Sequence, residues 1–148
     1  GANPTHRCSR ETTAEALPIF APKPGCTEEW AALAEKAGCR YMVLTTKHHD
    51  GFALFDTATS DYNAKKAVGR DLVREFVDAC RAQDIIPFFY HTLLDWTDER
   101  YKKDFPAYLE YLRNSVELLC TNYGKIGGLW FDGMWDKPDE DWEEDEEY

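Results

Sequence analysis

Residues 41–52 read YMVLTTKHHDGF, an apolar run that ends in two adjacent histidines, an aspartate and a glycine. The apolar half is typical of a buried strand, and the glycine marks a turn directly after it. Parallel α/β folds carry their active sites at the carboxyl ends of strands. His48, His49 and Asp50 are therefore candidates for a functional site at a strand end.

The chain on both sides of this stretch alternates between helical and strand periodicity. Thr27 and Asp71 are plausible N-caps, and Gly38 is a plausible helix end. Pro87 is unusual inside a strand, because proline removes one hydrogen-bond donor from the ladder. The predicted elements are helices over 27–38, 71–80 and 105–124 and strands over 40–46, 85–90 and 128–131. This order predicts an α/β fold with parallel βα repeats.

Right-handed crossovers place the carboxyl ends of all three strands on one face of the molecule. The second strand ends in Tyr90 and His91, and the third delivers Asp132. Because side chains alternate along a strand, only one of Tyr90 and His91 points toward that site. Three strands thus end in residues with site-like chemistry.

The adjacent histidines allow three interpretations from spacing alone. They could bind sugar hydroxyls, hold a metal ion or only stabilise a turn. Neighbouring residues on a strand point in different directions, and no third ligand follows at a metal-specific spacing, so no metal site is expected. Asp50 suits a role in holding the turn or orienting an imidazole better than a reactive one.

Asp132 stands at the end of an apolar strand, and Gly133 beside it permits close approach of another backbone. A carboxylate there can attack an anomeric carbon and form a glycosyl-enzyme, with a second carboxyl group acting as acid and base. A turn aspartate that caps the next segment is the alternative. Aromatic faces pack against sugars, which favours the first interpretation, although such residues also suit a core. The nearby tryptophans are Trp96, Trp130 and Trp135.

The formal net charge of −11 belongs mostly to the carboxyl-terminal stretch. Residues 136–148 hold nine acidic residues and one lysine, which leaves about −3 for the rest of the chain. No basic stripe is present that could neutralise phosphates, so nucleic acid is not an expected partner. A sugar or another neutral small molecule is a better candidate ligand.

Five cysteines form no Cys-x-x-Cys pair, and their odd number argues against a disulfide framework. Buried free thiols in a reducing compartment are the favoured interpretation. The sequence has no apolar run of about 18 residues, so no membrane span is expected. Residues 1–7 lack the apolar core of a signal peptide, which favours a cytoplasmic over a secreted protein.

The ordered motifs resemble those of the α-L-fucosidases of glycoside hydrolase family 29. The matching stretches are residues 41–52, 70–73, 90–96, 123–124 and 129–133, and the resemblance covers about residues 27 to 142. It implies a TIM-type (β/α)8 barrel and a retaining mechanism that removes terminal α-L-fucose without a cofactor. A fucosylated glycan or a fucoside is then the expected partner.

The resemblance also implies roles for individual residues. Asp132 matches the family's catalytic nucleophile. The strand over 85–90 matches one that usually ends in two tyrosines, whereas here the second residue of the pair is a histidine. The implied substrate-binding residues are His48, His49, Tyr90, His91 and Trp130.

Parts of the family pattern are not visible in the sequence. Residues 1–24 show no His-Trp-Gly block, and the family's general acid is a glutamate well after the nucleophile, whereas only sixteen residues follow Asp132. A complete barrel takes about 250 residues, so three strands predict a partial one. The predicted organisation is an irregular segment over 1–26, a partial βα-barrel catalytic domain over 27–142 and a truncated acidic end over 143–148.

Such a partial domain is expected to be weak or inactive alone and to self-associate through exposed barrel edges. A non-catalytic carbohydrate-binding remnant of the same fold is one alternative. A flavodoxin-like α/β domain is another, although the sequence has no glycine-rich phosphate loop to support it.

Overall fold

The computed structural model describes residues 17–142, in which strands and helices alternate. The strands are β1 (Tyr41–Lys47), β2 (Ile86–Thr92) and β3 (Gly128–Asp132). The helices are α1 (Cys26–Lys36), α2 (Ala64–Val68), α3 (Leu72–Ala82), α4 (Glu99–Lys103) and α5 (Phe105–Asn122). Short 3-10 helices cover Leu17–Ile19, Met134–Asp136 and Asp139–Asp141. The predicted α/β class with βα repeats is confirmed.

The three strands form one parallel sheet in the order β1, β2, β3. The register places Thr45 beside Tyr90 and Tyr90 beside Trp130, so these residues share one face of the sheet. An irregularity between Thr45 and Lys47 shifts the register at the end of β1. The carboxyl ends of all three strands lie at one edge, where the loops that follow them meet.

Pro87 lies within the central strand β2, opposite Met42 of β1. Pairing with β3 begins only at Phe88, one residue later. The Pro87 carbonyl still accepts from the backbone N–H of Gly127 at 2.8 Å. The missing N–H therefore falls just before the β2–β3 ladder begins, which explains how a central strand tolerates proline.

Helices cover one face of the sheet, and the main core lies between them and the strands. Phe89 of β2 is fully buried in a cluster with Val73, Phe76 and Val77 of α3. A second cluster includes Tyr108, where α4 and α5 meet. Burial of each large apolar side chain contributes about 1.5–3 kcal/mol to stability. The helical face of the sheet is thus the stabilising one.

The opposite face of the sheet carries large apolar side chains that are exposed to solvent. Trp130 is 64% exposed and Tyr41 is 60% exposed. Val43 and Ile86 share this face and are also exposed. In a closed barrel, this face of each strand lines the interior and packs against the other strands.

The start of α1 differs from the prediction. Gly25 is the N-cap and adopts a left-handed conformation with φ 76°. Thr27 is buried in the first turn, where its hydroxyl donates to the Glu28 carboxylate. The prediction of Thr27 as N-cap is wrong because the chain enters the helix through a left-handed residue, a conformation that glycine adopts readily.

The helices α2 and α4 are absent from the predicted elements, and each is only five residues long. Asn63 caps α2 by accepting from the backbone N–H of Lys66. Asp98 caps α4 in the same way, by accepting from the backbone N–H of Arg100. A helix of little more than one turn shows no measurable periodicity, so only its cap could have indicated it.

The four described cysteines are free thiols that differ in burial. Cys26 and Cys80 are buried, and burial raises the pKa of the Cys80 thiol to about 11. Cys39 and Cys120 are exposed. The prediction of buried thiols is therefore wrong for these two, which lie in the turn after α1 and near the end of α5 on the solvent side.

Several predictions concern residues outside the described part of the chain. They are the irregular structure of residues 1–16, the burial of Cys8 and the acidic end over 143–148. Among residues 17–142, no helix combines the length and the apolar character that crossing a membrane requires.

Asp71 joins the start of α3 to the end of α5. One of its carboxylate oxygens accepts from the backbone N–H of Arg74 at 2.9 Å, which confirms the predicted N-cap. The other accepts from the hydroxyl of the fully buried Tyr123 at 2.7 Å. Asp71 thus accepts hydrogen bonds from two donors, one in the first turn of α3 and one just after α5.

Asp71→Ala is expected to lower the free energy of unfolding by about 2 kcal/mol, because it removes the cap and leaves the Tyr123 hydroxyl without its acceptor. Asp71→Asn keeps a capping oxygen and is expected to lose clearly less. Urea unfolding followed by tryptophan fluorescence measures both. Equal losses for the two variants would contradict the dual role.

Candidate active site

Side chains from three strands converge at the carboxyl edge of the sheet. Asp132 ends β3, Tyr90 comes from β2 and His49 follows β1. The Tyr90 hydroxyl donates to Asp132 Oδ2 at 2.7 Å. His49 Nε2 lies 4.0 Å from the same oxygen. The structure therefore brings these three candidate residues into one cluster.

The backbone around Asp132 is held by the loop that follows β2. The Asp132 carbonyl accepts from the backbone N–H of Leu93 at 2.7 Å. Gly133 turns the chain with φ 99°, and a Cβ atom there would collide with Leu94 and come within 3.3 Å of the His49 ring. Glycine at this position thus permits the close packing of the strand-end loops. The Asp132 side chain itself is 38% exposed, so a ligand can reach it.

Tyr90 retains its proton and orients the Asp132 carboxylate. Burial raises the pKa of the Tyr90 hydroxyl far above its usual value. The hydrogen bond to Asp132 and the negative charge of that carboxylate act in the same direction. The hydroxyl consequently stays protonated at neutral pH and acts as a donor to Asp132.

The two histidines lie in different environments. His49 is buried, and its Nδ1 is 2.6 Å from Thr92 Oγ1. Burial and the neighbouring His48 lower the pKa of His49, while the charge of Asp132 acts in the opposite direction. His48 is exposed, and its ring stacks on Tyr90 with centroids 5.6 Å apart and planes 8° apart. One imidazole is therefore held by the protein, and the other is open to solvent.

Three tryptophans border the cluster. Trp96 and Trp135 pack edge-on against His49, with ring centroids 5.3 and 5.6 Å away. Trp130 precedes Asp132 by two residues and so shares its face of β3. All three tryptophans have solvent-exposed surface. Exposed aromatic faces of this kind can pack against the apolar side of a sugar ring.

The cluster offers an accessible carboxylate, a neutral hydroxyl donor and two imidazoles. These groups can supply a nucleophile and hydrogen bonds to a polyhydroxylated ligand. No group of three or more histidine, cysteine or acidic side chains among residues 17–142 is arranged to hold a metal ion.

Comparison with known proteins points to one family. A family model described as alpha-L-fucosidase matches residues 11–148. The chain belongs to the α-L-fucosidase family. Tissue alpha-L-fucosidase of Macaca fascicularis is 40% identical over 123 residues, which are 78% of this chain and 26% of that protein. The enzyme of the same name from Homo sapiens is 39% identical over the same shares of both chains.

Solved structures of α-L-fucosidases share the fold. Isoenzyme 1 from Paenibacillus thiaminolyticus matches with a TM-score of 0.79 and 39% identity, over 87% of this chain and 35% of that one. The family 29 enzyme from Bacteroides thetaiotaomicron matches with a TM-score of 0.81 and 28% identity, over 86% and 31%. That protein has also been captured as a covalent intermediate with 2-fluoro-fucosyl fluoride.

The α-L-fucosidase catalytic domain is a TIM-like barrel, and the three βα repeats described above form part of one. The chain spans about a quarter of the length of the curated relatives that it matches, 26% in both primate proteins. The open face of the sheet agrees with this partial coverage, since it is the face that a barrel encloses.

His91 lies on the opposite face of β2 from Tyr90 and the cluster around Asp132. Its ring is fully buried, with Nδ1 2.6 Å from the Thr92 carbonyl and Nε2 2.8 Å from Ser115 Oγ of α5. Burial and the positive charge of Lys47 lower the pKa of His91 to about 3. Side-chain alternation turns Tyr90 to the site and His91 to the helices. The structure thus places the His91 ring on the helical side of the sheet, away from the cluster around Asp132.

A buried ion pair behind the site was not predicted. Lys47 Nζ lies 3.0 Å from Asp95 Oδ2, and the two side chains are 0% and 2% exposed. Nζ also donates to the Tyr111 hydroxyl at 2.6 Å. Burial opposes the charge of Lys47, but Tyr111 and Asp95 outweigh that effect and raise its pKa. The sequence signal for this pair is the opposite charge of two residues at neighbouring strand ends.

The ion pair lies where the loops after β1 and β2 are joined. The backbone N–H of Trp96 donates to the His49 carbonyl at 2.8 Å. The Thr97 hydroxyl lies 3.0 Å from Asp95 Oδ1 and 3.3 Å from the Asp50 carbonyl, and its one proton is shared between these two acceptors. Gly51 has no room for a Cβ atom beside Thr97. The loop that carries both histidines is thus fixed against the loop after β2.

His91 gives the fold a pH dependence. Its pKa is about 3 in the folded state against an ordinary 6.5, so between these values the unfolded chain binds a proton that the folded chain does not. The contribution of His91 to stability is therefore fully present above about pH 6.5. Below that pH, the free energy of unfolding decreases by up to about 1.4 kcal/mol per pH unit. Urea unfolding between about pH 5 and 7.5 measures the slope.

His91→Gln removes this titration and is expected to reduce the slope by about one proton. His48→Gln is the matched control, because it removes an exposed imidazole and should leave most of the slope in place. A slope that is the same in His91→Gln and in the unsubstituted chain would show that His91 is not the group responsible.

Proposed function

We propose that this chain carries the nucleophile side of the active site of a retaining α-L-fucosidase, with Asp132 as the nucleophile. One observation supports this above all: Asp132 Oδ2 accepts from Tyr90 at 2.7 Å and faces His49 Nε2 at 4.0 Å, at the catalytic edge of a barrel sheet. The covalent intermediate captured in the Bacteroides thetaiotaomicron relative supports the same chemistry.

In the first step, an Asp132 oxygen forms a bond to the anomeric carbon of fucose, and the bond from that carbon to the leaving oxygen breaks. A second carboxyl group protonates the leaving oxygen. In the second step, the same group takes a proton from water, whose oxygen bonds to the anomeric carbon as the bond to Asp132 breaks. The two inversions together retain the configuration.

The groups around Asp132 have complementary tasks in this proposal. Tyr90 holds the carboxylate in place through its hydrogen bond. His48 and His49 bind fucose hydroxyls. Trp130, which lies on the same face of β3 as Asp132, packs against the apolar side of the sugar. His91 has no part in binding, since its ring is occupied by Thr92 and Ser115.

The acid and base group comes from outside the described residues in this proposal. A retaining enzyme needs the second carboxyl group about 5–5.5 Å from the first. We propose that residues 27–142 contribute three repeats of the barrel and that further strands supply this group and enclose the sugar.

The four free thiols favour a reducing compartment for the protein.

The nucleophile assignment is tested by covalent labelling of the complete polypeptide with 2-fluoro-fucosyl fluoride. Fluoride leaves readily, so the label forms with little help from the acid. We expect one adduct, mapped by peptide mass spectrometry to Asp132, and none in Asp132→Asn. A label on another residue would overturn the assignment. Fucose binding by calorimetry without any adduct would instead favour a carbohydrate-binding role.

The 148-residue chain alone is expected to self-associate through its open sheet face and to hydrolyse an aryl fucoside weakly or not at all. Ile86→Lys places a charge on that face, where Ile86 is 52% exposed, and should shift the elution in size-exclusion chromatography toward the monomer. Ile19→Lys is the matched control, because Ile19 is 81% exposed but lies outside the sheet. A sharp monomer peak with sustained turnover in the unsubstituted chain would contradict this expectation.

A further inference from the structure

The Thr92 hydroxyl connects the site to the backbone of the loop after β2. Thr92 is fully buried and lies beside Asp132 in the β2–β3 register. Its Oγ1 is 2.5 Å from the Leu94 carbonyl and 2.6 Å from His49 Nδ1. A carbonyl oxygen can only accept, so the single hydroxyl proton of Thr92 is committed to Leu94.

This arrangement determines which nitrogen of His49 carries the proton. Because the Thr92 proton points to Leu94, Oγ1 is an acceptor toward His49, and Nδ1 must be the donor. A neutral imidazole has only one N–H, so Nε2 then presents a lone pair. The tautomer follows from the hydrogen-bond pattern on the side of the ring remote from the sugar site.

We infer that Thr92 is a positioning residue that fixes His49 as the Nδ1–H tautomer, so that Nε2 offers a hydrogen-bond acceptor to a hydroxyl group of the substrate. This rests on the proposed function for the identity of the substrate. The assignment of the tautomer stands on the geometry of this chain alone.

The surroundings of Nε2 agree with an acceptor. Asp132 Oδ2 lies 4.0 Å away, too far for a direct hydrogen bond, and already accepts from Tyr90. Two neighbouring acceptors favour a donor that lies beside them, within hydrogen-bond distance of Nε2. A sugar hydroxyl can donate to Nε2 there, whereas a fluorine or an ether oxygen has no proton to give.

The environment also keeps the ring neutral. Burial and the adjacent His48 lower the pKa of His49, and the negative charges of Asp132, Asp50 and Asp95 only partly offset them. A neutral ring with Nδ1 satisfied by Thr92 leaves Nε2 free for the ligand. The same side chain could not act as an acceptor if it were protonated on both nitrogens.

The tautomer can be measured directly by long-range ¹⁵N–¹H NMR of the 148-residue chain at neutral pH, with the His49 signals assigned by comparison with His49→Gln. We expect a protonated Nδ1 and a lone pair on Nε2. His91 provides an internal standard, because its Nδ1 faces the Thr92 backbone carbonyl and must also be protonated. A protonated Nε2 in His49 of the unsubstituted chain would overturn the inference.

Two substitutions separate the hydroxyl from the shape of the side chain. Thr92→Val keeps a β-branched residue in the strand but removes the acceptor, so the His49 proton is expected to move to Nε2, toward Asp132. Thr92→Ser keeps the hydroxyl and should keep the Nδ1 proton. His91 should be unchanged in both variants, which shows that the strand is intact. If the His49 proton stays on Nδ1 in Thr92→Val, Thr92 does not determine the tautomer.

Kinetics of the complete polypeptide give the consequence for substrate recognition. Thr92→Val is expected to lower kcat/KM by about tenfold to a hundredfold, as for the loss of one buried hydrogen bond, and Thr92→Ser to restore most of it. If the NMR result holds and no hydrolysis is found, the proposed function fails while the tautomer assignment stands. If the NMR result fails, the inference falls and the nucleophile assignment is unaffected.

Discussion

The buried ion pair between Lys47 and Asp95 is the constraint on which the site depends. Two charges 3.0 Å apart, with almost no exposure, are stable only while each has its partner and further hydrogen bonds. Tyr111 completes the shell of Lys47, and the backbone N–H groups of Thr97 and Asp98 complete that of Asp95 at 2.8 and 2.9 Å. Removal of either partner from such a pair typically costs about 3–5 kcal/mol. The ion pair therefore stabilises the conformation of the two loops that follow β1 and β2.

This constraint has a direct consequence for the histidine loop. Lys47 immediately precedes His48 and His49, and Asp95 precedes Trp96, whose N–H binds the His49 carbonyl. The position of the His49 imidazole is therefore fixed by the Lys47–Asp95 ion pair and by the hydrogen bond from the Trp96 N–H to the His49 carbonyl. A preorganised site of this kind needs little rearrangement when a ligand enters.

Much of the fold follows from local patterns, and much of the site does not. The helix over 72–82 is indicated by its N-cap Asp71 and by the spacing of its apolar residues. Both signals involve residues that are close together in the sequence. Side-chain alternation predicts that only one of Tyr90 and His91 faces the site. Which of the two it is depends on which face of the strand packs against the helices, and that is decided by tertiary packing. The burial of Lys47 depends on Asp95, 48 residues away. The contact of Thr92 with His49 joins residues 43 positions apart, so no local pattern contains either of them.

The open face of the sheet links stability to function in this fragment of the family fold. Trp130 and Tyr90 belong to the site and to the face that carries the exposed Tyr41 and Val43. Strands that closed the barrel would bury this apolar surface and at the same time bring new side chains toward Asp132. The free energy that favours closure therefore also completes the site. Three repeats of the barrel can hold Asp132 and the imidazoles in place through the contacts behind them, but they leave the open side of the cluster exposed to water, where electrostatic interactions are weakest.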